Sequence, residues 1–191
     1  MASFPSELLT YVGRARQFGA RDWLVYVLWI GTISGLFLST GSFLLYGRAH
    51  GAVFPPEAWL VPIGAATFTN AIAIDTIGHR TVYKQVLAGG ESLVHRITIG
   101  CGVGSVVLLV LAYEYRICAI PALVLTGLSF VYSLVDELFH WRRYISDHAD
   151  RVEMCSHVFI LTGHGIMMVA WWWCYFLGYP GVAETLEAMR R

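Results

Sequence analysis

Charge is scarce in this chain. Asp, Glu, Lys and Arg make up 14% of 191 residues, against about 25% in an ordinary soluble domain. Thirteen acids balance thirteen bases, for a formal net charge of zero, so the basic field of a nucleic-acid-binding protein is absent. The four cysteines, Cys101, Cys118, Cys155 and Cys174, form no C-x2-C pair and mostly lie in or beside apolar runs. They read as small buried hydrophobes, which excludes a zinc–thiolate site. No flavin, haem-attachment or iron–sulfur motif is present. Gly100, Gly102 and Gly104 make no phosphate loop, since they sit inside an apolar stretch, and they read as close helix packing. The first 22 residues lack a cleavable signal pattern. Phe4 to Phe18 reads instead as a short helix at the membrane surface.

Apolar residues are abundant, at 57%, with a mean hydropathy of +0.59. About 20 apolar residues cross a bilayer as a helix, and five stretches qualify: Trp23 to Tyr46, Trp59 to His79, His95 to Tyr113, Ala119 to His140 and Ser156 to Gly178. The expected fold is all-α and polytopic. Residues 1–191 form a single membrane domain: a surface segment (1–22), a first span, and a four-helix bundle of two repeated hairpins (59–113 and 119–178). Gly31 and Gly35 in the first span have the spacing of a helix-contact motif, which makes that span a candidate oligomer contact. Arg14, Arg16, Arg21, Arg80, Lys84, Arg96, Arg142, Arg143 and Arg151 flank one set of span ends, against Arg48 and Arg116 on the other. The positive-inside rule then places the N-terminus in the cytoplasm.

Against this background, four histidines each follow a carboxylate by four residues: Asp75/His79, Glu91/His95, Asp136/His140 and Glu153/His157. With acids at 13 of 191 positions, chance would give such a partner to about one histidine in fifteen, yet four of seven have one. Residues four apart share a helix face, so each pair can aim an oxygen and a nitrogen at one point. The pairs form two blocks of D-x3-H followed by E-x3-H, at the ends of the second to fifth spans, as an internal duplication would leave them. Alternate loops share a side of the membrane, so all four pairs should lie at one depth.

Carboxylate plus imidazole is ligand chemistry for iron, manganese or zinc, and facing helices carrying both hold paired metals in soluble bundles. The expected ligands are therefore Asp75, His79, Glu91, His95, Asp136, His140, Glu153 and His157, around two metal ions. Iron is favoured, with zinc, copper or haem b as alternatives. Glu137, three residues before His140, is a candidate ligand or support. His164, two turns beyond His157, is a candidate proton carrier, as are Asp147 and His148. His50 reads as a loop residue and Trp171 to Trp173 as packing.

The histidine cluster at the membrane helix ends resembles the membrane-bound non-haem di-iron oxygenases, that is, alkane hydroxylases, fatty-acid hydroxylases and desaturases. Those enzymes carry H-x3-H and H-x2-H-H boxes where this chain carries D-x3-H and E-x3-H. Asp75, His79 and His95, then Asp136, His140 and His157, also resemble in part the metal-binding subunit of copper membrane monooxygenases. The first resemblance implies dioxygen-dependent oxidation of a hydrophobic, lipid-like substrate. It also implies a separate electron donor, for which Arg80, Lys84, Arg142, Arg143 and Arg151 would be the docking patch. A haem-bearing membrane subunit, a metal hydrolase and a transport module are the competing classes. An apolar channel past Ala66, Gly102, Gly104 and His164 is expected to reach the metals.

Overall fold

Proline placement marks where the helices of the two repeats begin. Pro62 and Pro121 each stand third in a long helix, in the first turn, where the backbone has no N–H partner to lose. A 3-10 turn precedes each, at Pro56–Trp59 and Arg116–Cys118. The computed structural model describes residues 3–82, 89–147 and 151–191. Among them it holds seven α-helices and no strand: α1 Phe4–Gly13, α2 Ala20–Ala49, α3 Leu60–Thr81, α4 Gly89–Leu111, α5 Ala119–Asp147, α6 Arg151–Phe176 and α7 Val182–Arg190. Helices α2 to α6 are the five long enough and apolar enough to cross a membrane. Their exterior is apolar from end to end, including Leu28, Leu38, Val103, Val107, Leu123, Val131 and Val169. Such a surface suits lipid rather than water. The chain is an all-α polytopic membrane protein.

The helices outrun the apolar stretches that signalled them. Helix α5 continues past His140 to Asp147, α4 starts six residues before His95, and α6 starts six before His157. Polar residues end a hydropathy stretch but not the backbone hydrogen-bond ladder. The acid–histidine pairs are therefore all helical, with His79 in the last turn of α3 and Glu91 and Glu153 in the first turns of α4 and α6.

Packing pairs α3 closely with α6, and α4 with α5, while α5 meets α6 over a shorter stretch. Neither is one of the expected hairpins α3–α4 and α5–α6; the two tight pairs interchange when α3 is exchanged with α5 and α4 with α6. A Cβ on Gly64 would stand 2.5 Å from the Met167 amide nitrogen, and one on Gly163 would stand 2.6 Å from that of Phe68. These two glycines let the α3 and α6 backbones touch. Gly104 meets Leu125, but Gly100, Gly102, Gly31 and Gly35 have nothing within 4 Å of a built Cβ. The expected close packing at Gly100 and Gly102 is thus absent, and the Gly31–Gly35 face of α2 stays open. Trp171 and Trp172 are buried while Trp173 is half exposed, and the Trp172 indole donates to the Thr126 hydroxyl at 3.2 Å.

Helix α1 does more than rest on the membrane surface. Tyr11 and Phe18 are buried in a cluster with Ile77 of α3 and Val152 of α6, so the segment caps one end of that helix pair. Arg151 holds it with two hydrogen bonds to the Glu7 carboxylate, at 2.6 and 3.0 Å, and its guanidinium keeps that carboxyl below the usual glutamate range. At α2, Asp22 accepts from the Gly19 amide at 3.1 Å and from Arg80 of α3 at 2.6 Å.

These contacts set a stability test. Gly163→Ala should destabilise the protein by about 1–3 kcal/mol, because its Cβ meets backbone that cannot swing aside. Gly102→Ala, in open space, should be neutral or stabilising by up to about 1 kcal/mol through lost glycine entropy. Unfolding of both variants in detergent checks the order; equal melting would contradict the α3–α6 contact.

Candidate metal centre

Four-residue spacing sets the local geometry. On α3, Asp75 Oδ2 and His79 Nε2 lie 3.3 Å apart; on α5, Asp136 Oδ2 and His140 Nε2 lie 3.8 Å apart. Helix packing then joins the pairs. His157 of α6 places Nε2 3.2 Å from Asp75 Oδ1 of α3 and Nδ1 2.9 Å from Glu137 Oε1 of α5. His140 of α5 places Nδ1 3.2 Å from Glu153 Oε1 of α6. Asp136 Oδ2 lies 3.3 Å from His95 Nδ1 of α4. Ring centroids separate by 3.7 Å for His140 and His157, 5.9 Å for His79 and His140, and 5.8 Å for His79 and His95. All four helices of the bundle are drawn into one cluster at the end capped by α1.

The cluster is buried. Asp75, Glu91, Asp136, His140, Glu153 and His157 are each at most 7% exposed, and His79 and His95 are partly so. Carboxylates withdrawn from water need a compensating positive charge. Imidazoles supply one only when protonated, and the nearby Arg80 and Arg151 are engaged by Asp22 and Glu7.

Two features fit a cation. First, Asp75 Oδ1 and His157 Nε2 face each other at 3.2 Å, yet neither makes a hydrogen bond, and Asp136 Oδ1 is likewise buried without one. Ligand atoms about 2.0–2.2 Å from one ion lie about 3–4.4 Å apart, so the 3.2 and 3.3 Å separations around Asp75 suit edges of a coordination shell. One nitrogen from each of His79, His140 and His157 falls within 4.8 Å of the others. Second, the outer ring nitrogens of His157 and His140 are held by Glu137 and Glu153. A carboxylate accepting one ring N–H turns the other nitrogen's lone pair inward, the usual arrangement behind a metal-bound histidine.

Of the eight residues expected as ligands, Asp75, His79, His95, Asp136, His140, Glu153 and His157 stand in this cluster. Glu137 Oε1 stands 2.9 Å from His157 Nδ1, the position of a support for that ring. Glu153 backs His140. Glu91 is buried in the first turn of α4. His164 lies about 10 Å along α6 from His157 by helical rise, stacked on Phe130 at 4.6 Å and tilted against Phe68 at 5.6 Å. Its packing is aromatic, and it is removed from the cluster. His148 and Lys84 lie outside the described residues, as do the side chains of Arg143 and Asp147. Of the expected docking patch, Arg80 and Arg151 are paired with Asp22 and Glu7.

Two cavities stand out among the described residues. One of about 390 Å³ lies at the far end, between α2, α6 and α7. The other, of about 210 Å³, lies beside the cluster between α1, α3 and α6. Neither is lined by Ala66, Gly102, Gly104 or His164, the residues expected along a channel. A residue not anticipated is Tyr11, whose hydroxyl occupies the space a Gly78 side chain would need. The glycine next to His79 was its only sequence signal. No family model, curated protein or solved structure matches this chain.

Metal analysis separates the parts. His157→Ala and Asp75→Asn should each abolish binding of added Fe(II) or Co(II). Glu137→Gln should retain the site with affinity weakened about 10- to 100-fold, the usual cost of losing such a support. Equal loss in all three variants would place Glu137 among the ligands.

Proposed function

We propose that this protein is a membrane-embedded, metal-dependent oxidoreductase whose paired non-haem metal centre, preferentially iron, uses dioxygen to oxidise a hydrophobic, lipid-like substrate. The observation that supports the metal is the gathering of one ring nitrogen from each of His79, His140 and His157 within 4.8 Å of one another, beside the buried Asp75 carboxylate. Two ions follow from charge: two divalent cations balance the buried carboxylates Asp75, Glu91, Asp136 and Glu153 when the histidines are neutral. Oxygen-rich ligation with imidazole suits iron or manganese better than copper(I). The interleaving of carboxylates between the imidazoles leaves no apolar slot for a macrocycle, which speaks against haem.

Bound metal would supply dioxygen activation and electron transfer. The chain's own residues do the rest. Glu137 and Glu153 hold His157 and His140 in one orientation, Asp75 and Asp136 offer oxygens to the centre, and α1 keeps bulk water from it. The arginine asymmetry puts this end at the cytoplasmic face, within reach of a separate electron donor. The open face of α2 is available for self-association.

Purified protein loaded with Fe(II) should consume dioxygen with a reductant and convert a long-chain lipid substrate. His140→Ala should lose at least about 100-fold in turnover, as expected where a metal ligand is removed. Equal turnover under strict anaerobiosis would overturn the oxygenase reading in favour of hydrolysis. One zinc per chain would do the same, and a Soret band would indicate haem.

A further inference from the structure

The 210 Å³ cavity is a trough with three walls. Thr67, Asn70, Ala71 and Ile74 line it from α3, Val152, Cys155, Ser156 and Phe159 from α6, and Phe4 and Leu8 from α1. On both long helices the lining positions run i, i+3, i+4, i+7, so each wall is one continuous helical face. Its three polar side chains spend a donor on their own helices. Thr67 donates to the Ile63 carbonyl, Asn70 to Ala66 and Ser156 to Glu153. What remains facing the trough is chiefly methyl, methylene and aromatic surface.

We infer that this trough holds one acyl chain of a membrane phospholipid and leads it to the metal centre. The walls belong to two membrane-spanning helices, and Asn70 and Phe159 on them are exposed, so the surroundings that reach the trough are lipid chains. The α3 row fixes the direction. Thr67, Ala71, Asp75 and His79 follow at intervals of four, so the trough floor continues along one face into the ligand row. Ala71 stands about 6 Å from Asp75 and about 12 Å from His79 by helical rise. A larger residue at Ala71, which is 4% exposed, would close the trough one turn short of the centre. Helix α1, pinned by Arg151 and Glu7, forms the roof at the centre's end. The inference deepens the proposed function and rests on it for the chemistry, though not for the occupancy.

The probe is phosphatidylcholine with a mid-chain diazirine, incorporated with the full-length protein into phosphatidylcholine nanodiscs and photolysed. Label should concentrate on residues 67–74 and 152–159, over exposed apolar sites such as Val103 and Leu123. Ala71→Trp should cut that labelling about tenfold, the effect of overpacking by one to two kcal/mol, with metal content unchanged. Val103→Trp should leave it unchanged. Thr67→Trp, at the deeper end, serves if Ala71→Trp does not fold. Label spread evenly over all lipid-facing residues, or undiminished in both trough variants, would overturn the inference. Concentrated labelling of a protein that binds no metal would support the trough and remove the oxidoreductase reading.

Discussion

Everything at the capped end of the bundle follows from the burial of carboxylates. In a membrane-spanning helix an ionised acid without a counter-charge is costly by several kcal/mol. Here Asp75, Glu91, Asp136 and Glu153 are withdrawn together, surrounded by imidazoles and not by the available arginines. A cluster of that composition is stable when cations sit in it. The bundle is then a device for bringing oxygens and nitrogens from four helices to one depth.

Close approach of backbones makes this possible. Gly64 and Gly163 let α3 lie directly on α6, and this contact brings His157 to Asp75. The same relation recurs between α5 and α4, where Asp136 reaches His95. The duplication thus appears in the tertiary contacts as well as in the spacing, and each tight pair joins a helix of one repeat to a helix of the other. A centre shared in this way depends on both halves being in place.

Helix α1 ties the aqueous boundary to the centre. It is held by a two-point Arg151–Glu7 contact on one side and by buried Tyr11 and Phe18 on the other. It also supplies the third wall of the lateral trough. This short element therefore shields the cluster and shapes the apolar approach, while His164 packs between Phe68 and Phe130.

The sequence by itself determined the five spans, the helical class and the gathering of His79, His95, His140 and His157 with carboxylates at one end. Hydropathy and four-residue periodicity are local properties, and alternation of loops across a membrane fixes depth without any knowledge of packing. Only the tertiary structure decided which acid serves which histidine. Glu137 and Glu153 each act on a histidine of the neighbouring helix, and helix rotation about its axis is set by side-chain packing that no periodicity reveals. The same reason hid the capping by Tyr11, the pairing of α3 with α6, and the lateral course of the trough. Spacing placed His164 on the right face, but the aromatic neighbours that surround it come from α3 and α5, and their positions exist only once the helices have packed.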